Sequence, residues 1–190
     1  MIRRLLSALS WLVICAGLWF FVRPILLLLL VGIGFANGES DSLADYPSLL
    51  DQWKPSGLVE HFPVQIPATA TRGWFSAAPG FLQGGAHMQL RLRLPPAEVL
   101  TLEQQAAQSA KRIYPGGGNF LTHVNRDRAN GLATTHFHTA GPNQSGEFPS
   151  HYTLYVLHTR TTGASWNHGE TTGIAISQLA KEVIYWVEDF

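Results

Sequence analysis

The stretch Gly85-Ala86-His87-Met88-Gln89-Leu90-Arg91-Leu92-Arg93-Leu94 alternates without a break. Met88, Leu90, Leu92 and Leu94 fall on one side, and His87, Gln89, Arg91 and Arg93 on the other. Period two over that length predicts a half-buried strand, because successive side chains of an extended chain point to opposite faces. Pro95-Pro96 ends it, since proline cannot donate to a ladder. A strand with one apolar face belongs to an antiparallel sheet whose apolar side must be covered.

Working towards the C-terminus, Leu102, Ala106, Ala110 and Ile113 recur at helical spacing. Thr101-Leu102-Glu103-Gln104 fits a capping box, with Ala97 as the alternative start. The glycines at 116–118 read as a helix stop and turn. A phosphate-cradling loop would need a strand before the glycines and a helix after them, and here the order is reversed, with a strand expected at 120–124. Strands at 132–139 and 151–160 flank a Gly/Pro/Asn/Ser loop and are expected to form a hairpin. Ile176, Leu179, Val183, Ile184 and Val187 form a stripe that predicts a C-terminal helix from Gly173 to Val187. With short strands near 62–66 and 73–76, the pattern is α+β: an antiparallel sheet with helices packed on one face.

Towards the N-terminus, Leu5 to Val22 is apolar except for Ser7 and Ser10, long enough to cross a hydrocarbon core. Arg23-Pro24 interrupts it, and Ile25 to Ala36 resumes with five leucines. A single uncleaved anchor is the favoured reading. A signal peptide cut near Gly34-Phe35-Ala36 would have too long an apolar region, and a helical hairpin turning at Pro24 would have too short a second arm. Ile14 before Cys15 does not fit a lipoprotein signal, so Cys15 reads as a small apolar residue of the anchor. Arg3 and Arg4 precede the span, whereas 37–53 carries Glu39, Asp41, Asp45 and Asp51 and no basic residue. That asymmetry places the N-terminus in the cytoplasm and the rest across the membrane, as a single-pass protein. The expected organisation is an anchor over 1–36, a polar tether over 37–60 and an extracytoplasmic domain over 61–190. Within the tether, Leu43, Leu49, Leu50 and Trp53 could form a short amphipathic turn.

Composition excludes several functions. Of 190 residues only 14% are charged, against about 25% in an average soluble domain. Residues 37–190 hold 10 basic and 13 acidic side chains, which leaves no broad positive field for nucleic acid. One cysteine excludes an intrachain disulfide framework and a multi-cysteine zinc site. No phosphate-loop, dinucleotide, zinc-protease or nucleophile-elbow motif occurs.

All eight histidines lie beyond residue 60. On a strand, His136 and His138 would share one side, and the expected hairpin register adds His151 to them. Three imidazoles with an open position is one way a metal site is built, so a transition metal is the one cofactor considered. A solvent face carrying histidine as it carries threonine is the plainer alternative. His158 is expected on the core side as a hydrogen-bonded structural residue. The loop holding Trp166, Asn167, His168 and Glu170 is the second candidate, either a polar binding pocket or a Trp-anchored turn. His87, Arg91 and Arg93 form a small basic stripe that could meet an anionic headgroup or a carboxylate, with a solvated sheet face as the plainer reading.

Several patches also resemble uncharacterised bacterial membrane-anchored or lipoprotein-like envelope domains. These are His61-Phe62-Pro63 with Ile66-Pro67, Pro79 to Gly85, Trp166-Asn167-His168-Gly169, Gly173 to Ser177, and Ile184-Tyr185-Trp186. The resemblance implies an envelope location and transfers no catalytic residue. The expectation is a non-catalytic, membrane-anchored binding or interaction domain, with the bilayer and other envelope proteins as partners and with an accessory place in a membrane complex. The rival expectation is a histidine-based metal-binding module or metal-dependent enzyme.

Overall fold

The computed structural model describes residues 40–80, 85–117, 135–140, 146–161 and 169–189, with Trp19, Val22 and Arg23. Residues 1–38 and 39–190 form two compact units. In the first, Trp19, Val22 and Arg23 are helical and exposed, the Arg23 guanidinium 5.5 Å from the Trp19 ring centroid. Among the described residues no helix is long and apolar enough to cross a membrane. The expected span at 5–36 lies outside them apart from those three residues, as do the strand expected at 120–124 and residues 166–168.

The second unit is built on a six-stranded antiparallel sheet. Its strands are β1 (Arg72–Ala78), β2 (Ala86–Arg93), β3 (Arg112–Pro115), β4 (Thr153–Thr161), β5 (Gly169–Ser177) and β6 (Glu182–Asp189). Their order across the sheet is β1-β2-β6-β5-β4-β3. With helices α1 (Tyr46–Trp53) and α2 (Pro96–Ser109), the fold is α+β.

β2 is the strand the alternation predicts, and Met88, Leu90 and Leu92 on it are fully buried. They meet Val183, Tyr185 and Val187 of β6 and Ile174 and Ile176 of β5, with α1 and α2 on the same side through Tyr46, Leu50, Val99 and Ala106. The segment expected as a tether thus contributes Tyr46, Leu50 and Val59 to this core. Upstream of α1, the backbone of Ser40 exchanges two hydrogen bonds with Ala77 at the outer edge of β1, both 2.8 Å. α2 opens at Pro96, whose missing N–H costs nothing in a first turn. Thr101 does not cap it: its hydroxyl bonds back to the Ala97 carbonyl inside the helix, at 2.9 Å. The helix ends with Ala110 extended, and β3 intervenes before the glycines. Gly116 and Gly117 therefore turn the end of a strand, Gly117 at φ 75°.

Three expectations are corrected. The predicted C-terminal helix is the β5–β6 hairpin, turning through Gln178–Lys181, with Lys181 at φ 58°. Both strands are buried on both faces, so they read as continuous apolar runs in which a helical stripe can be traced by coincidence. Their β-branched and aromatic residues (Ile174, Ile176, Val183, Ile184, Tyr185, Trp186, Val187) favour the sheet. Second, among the described residues β4 pairs with β3 and β5, and residues 135–139 do not pair with it. Residues 135–137 lack regular structure, and His138–Ala140 is a 3₁₀ turn.

Third, the second face of the sheet is not solvated. Phe137, Phe148 and Tyr152 lie over Leu154, Val156, Ala175, Ile184 and Trp186 as a separate apolar core. Phe137 shares this core with Tyr152, Leu154 and Val156, although 135–137 is not a strand.

Candidate functional site

The polar side of β2 faces this second layer. Gln89 is fully buried and bonded at both ends of its amide: its Nε2 donates to the His136 carbonyl at 2.9 Å, and its Oε1 accepts from the Thr139 N–H and hydroxyl at 2.9 and 2.8 Å. One glutamine thereby clamps the 136–139 turn to the sheet. Arg91 lies 4.1 Å from the Trp74 ring centroid, donates to the Thr139 carbonyl at 3.1 Å, and pairs with Glu182 at 2.9 Å. Arg93 reaches the same fully buried carboxylate at 2.8 Å, and the Tyr152 hydroxyl donates to it as well. Burial would push the Glu182 carboxyl up, but the bonds from Tyr152, Arg93 and Arg91 outweigh it and hold the pKa below the ordinary value.

At the other end of the same strands, register puts His87 of β2 opposite Glu188 of β6. Glu188 is buried, and its Oε1 accepts from the Thr135 hydroxyl, the His136 backbone N–H at 2.9 Å and the His138 Nε2 at 2.7 Å. The His138 imidazole stacks on His87, with centroids 3.6 Å apart and planes 4° off parallel, and the His136 ring is 5.7 Å from His138. The Ser76 hydroxyl is 3.2 Å from the His87 Nε2. Burial, with the neighbouring His138, brings the His87 pKa down to about 4 against the pull of Glu188. Burial also lowers that of His136.

Of the sequence candidates, His136 and His138 are brought together, and the third member of the group is Glu188. His151 is exposed, its ring 4.8 Å from that of Tyr152. Glu170 pairs with Arg160 at 3.0 Å on each oxygen and with His158 at 2.9 Å. The Arg160 bond lowers its pKa against partial burial. Trp166, Asn167 and His168 lie outside the described residues. Glu188 escapes a sequence reading because it follows an apolar run mistaken for a helix, 50 residues from His138.

A cleft of about 670 Å³ opens on the helical side, between α2 and the 61–67 segment. Leu157, Ile174 and Tyr185 of the sheet line it, with Leu102 and Ala106 of α2 and Phe62 and Pro63 opposite. Tyr185 is only 5% exposed; burial, with Glu98 nearby, raises its pKa to about 12. His61 is held there by its Nε2–H, which donates to the Trp186 carbonyl at 3.0 Å. Burial brings its pKa to about 4, against the pull of its bonds to the backbone of Trp186 and Gly173. Among the described lining residues Glu98 is the one acidic or basic side chain other than His61, and it accepts from the Thr69 hydroxyl at 2.9 Å.

Compared with protein-family models, with curated proteins and with solved structures, the chain matches none.

Proposed function

We propose that this chain is a non-catalytic binding domain held at a membrane by residues 5–36, and that it takes a small amphiphile in the cleft beside α2. The cleft carries the reading. Its volume falls in the range of ligand sites, about 300–1,000 Å³. Its walls are mainly apolar, with Tyr185, Thr101 and Gln105 as hydrogen-bonding groups. Glu98 disfavours an anionic head, so the ligand is a single-chain amphiphile with a neutral or cationic head. The apolar run from Leu5 to Val22, with Arg3 and Arg4 ahead of it, supports a membrane position with the domain on the extracytoplasmic side.

Native mass spectrometry of the full chain, released from detergent in the presence of monomyristoylglycerol, tetradecyltrimethylammonium or myristate, tests the cleft. Neutral and cationic adducts are expected, with myristate weaker. Leu102→Trp, which fills the space, should remove them. Absence of adducts, or adducts indifferent to Leu102→Trp, would overturn the reading. The anchor is tested separately: the full chain should stay with membranes through alkaline carbonate washing, and a chain lacking residues 5–36 should not.

A further inference from the structure

On the opposite face of the sheet, and independently of the cleft, we propose that His136, His138 and Glu188 form a binding site for one late first-row divalent metal ion, of the zinc or copper type. One donor atom from each of the three lies within 4.8 Å of the others. Donors around a four-coordinate ion bound at about 2.0–2.2 Å sit roughly 3.4 Å apart, so the trio closes around an ion with side-chain shifts of about 1 Å. Two imidazoles and one carboxylate suit zinc, nickel or copper better than magnesium or calcium, which prefer all-oxygen sets.

The surroundings are built rather than incidental. Glu188 stands on a central strand, 4% exposed at its side chain, and is oriented by the Thr135 hydroxyl and the His136 backbone N–H. Gln89 grips the peptide groups of residues 136 and 139 from below, fixing the turn that carries both histidines. His87 backs the His138 ring in parallel contact. Such outer contacts set ligand orientation and are worth about 10- to 100-fold in metal affinity at known sites. The His138 side chain is 23% exposed, so an ion has an approach from solvent.

Entry of the metal replaces the hydrogen bond between His138 Nε2 and Glu188 Oε1. His138 gives its Nε2 lone pair to the ion, with the ring proton carried on Nδ1, and Glu188 coordinates through a carboxylate oxygen. Nothing is oxidised or reduced. Three protein donors leave at least one position for water or a further ligand.

The test uses the untagged full chain in neutral detergent, stripped with chelator and dialysed. Zinc chloride titrated in by calorimetry should bind at one equivalent. His136→Ala and His138→Ala should each weaken it at least about tenfold, while His151→Ala stays within about twofold of the parent. The copper(II) form should show nitrogen hyperfine structure in its electron paramagnetic resonance spectrum, lost in the His136→Ala/His138→Ala chain. His138→Gln, a milder change against His87, should give the same weakening with an unchanged melting temperature. Three results would each overturn the proposal: no saturable binding by the parent chain, a His151→Ala loss equal to that of His138→Ala, or a copper spectrum without nitrogen coupling.

Discussion

Trp186 lies against the bare α-carbon of Gly173, its partner across the β5–β6 ladder. A Cβ at position 173 would overlap Cζ2 and Cη2 of the indole and the Tyr155 carbonyl oxygen. The indole is fully buried, and its Nε1 has no acceptor among the described residues, so close packing rather than hydrogen bonding holds it. Gly173→Ala should therefore destabilise the domain by about 1–3 kcal/mol or more, the usual cost of overpacking. Thermal unfolding measures it, and Trp186→Leu in the same chain should recover part of the loss, because contacting sites are not additive. Two strictly additive losses would show that the glycine is not there to seat the indole.

Glu182 and its donors form a buried charged network. Glu182→Gln keeps the shape and removes the charge that Arg91 and Arg93 share, so a loss of about 3–5 kcal/mol is expected. Tyr152→Phe removes one hydrogen bond to the same carboxylate and should cost less, about 1–3 kcal/mol. Because the folded-state pKa of Glu182 is depressed, its contribution is present above the ordinary carboxylate value of 4.5 and is lost as pH falls through the lower folded value. Chemical denaturation from pH 5 to 2 should show that acid loss in the parent and a flatter profile in Glu182→Gln.

His61 and His87 act in a different window. Each has an ordinary pKa of 6.5, brought to about 4 in the fold chiefly by burial. Between those values the unfolded chain takes up protons that the folded chain refuses, so these rings lower stability as pH drops from 6.5 to 4, and their effect levels off below. The slope is at most about 1.4 kcal/mol per pH unit for each ring. His61→Gln should remove one of the two contributions and leave the other. A profile that is flat from pH 7 to 4 would mean these rings are not buried neutral.

The ion pair at Glu170 should behave otherwise. Arg160 is largely exposed, and Arg160→Ala should leave the melting temperature almost unchanged. The same change should let the Glu170 carboxyl rise towards its ordinary pKa, read by nuclear magnetic resonance titration. A carboxyl that does not move would show that Arg160 is not what holds it down.

How much of this was legible in the sequence depended on how many faces of an element are buried. β2 writes its own structure, since one side is aliphatic and the other polar. That polar side was misread as solvated because Gln89 and Arg91 look the same in sequence whether water or Thr139 receives their hydrogen bonds. β5 and β6 are buried on both faces, so their periodicity carries no information, and a stripe from Ile176 to Val187 passed for a helix. α2 was found by its spacing, but its start is set by Pro96 rather than by Thr101. In the histidine group, proximity of His136 and His138 followed from closeness in sequence. Glu188 joins them only through the sheet, which brings a residue 50 positions away beside them.

The sheet order also dictates an order of events in time. β6 is made last of the six strands, yet it lies in the interior, between β2 and β5. The β1–β2 hairpin can form as soon as both strands are free to pair, and the β4–β5–β6 meander forms locally at the other end. Joining them means closing the loop from Arg93 to Glu182, an 89-residue separation, and loop-closure entropy must be met before that contact stabilises anything. Until β6 is synthesised, β2 and β5 present open edges to any other chain nearby. A chain stopped before Glu182 would therefore leave two unjoined half-sheets prone to aggregate.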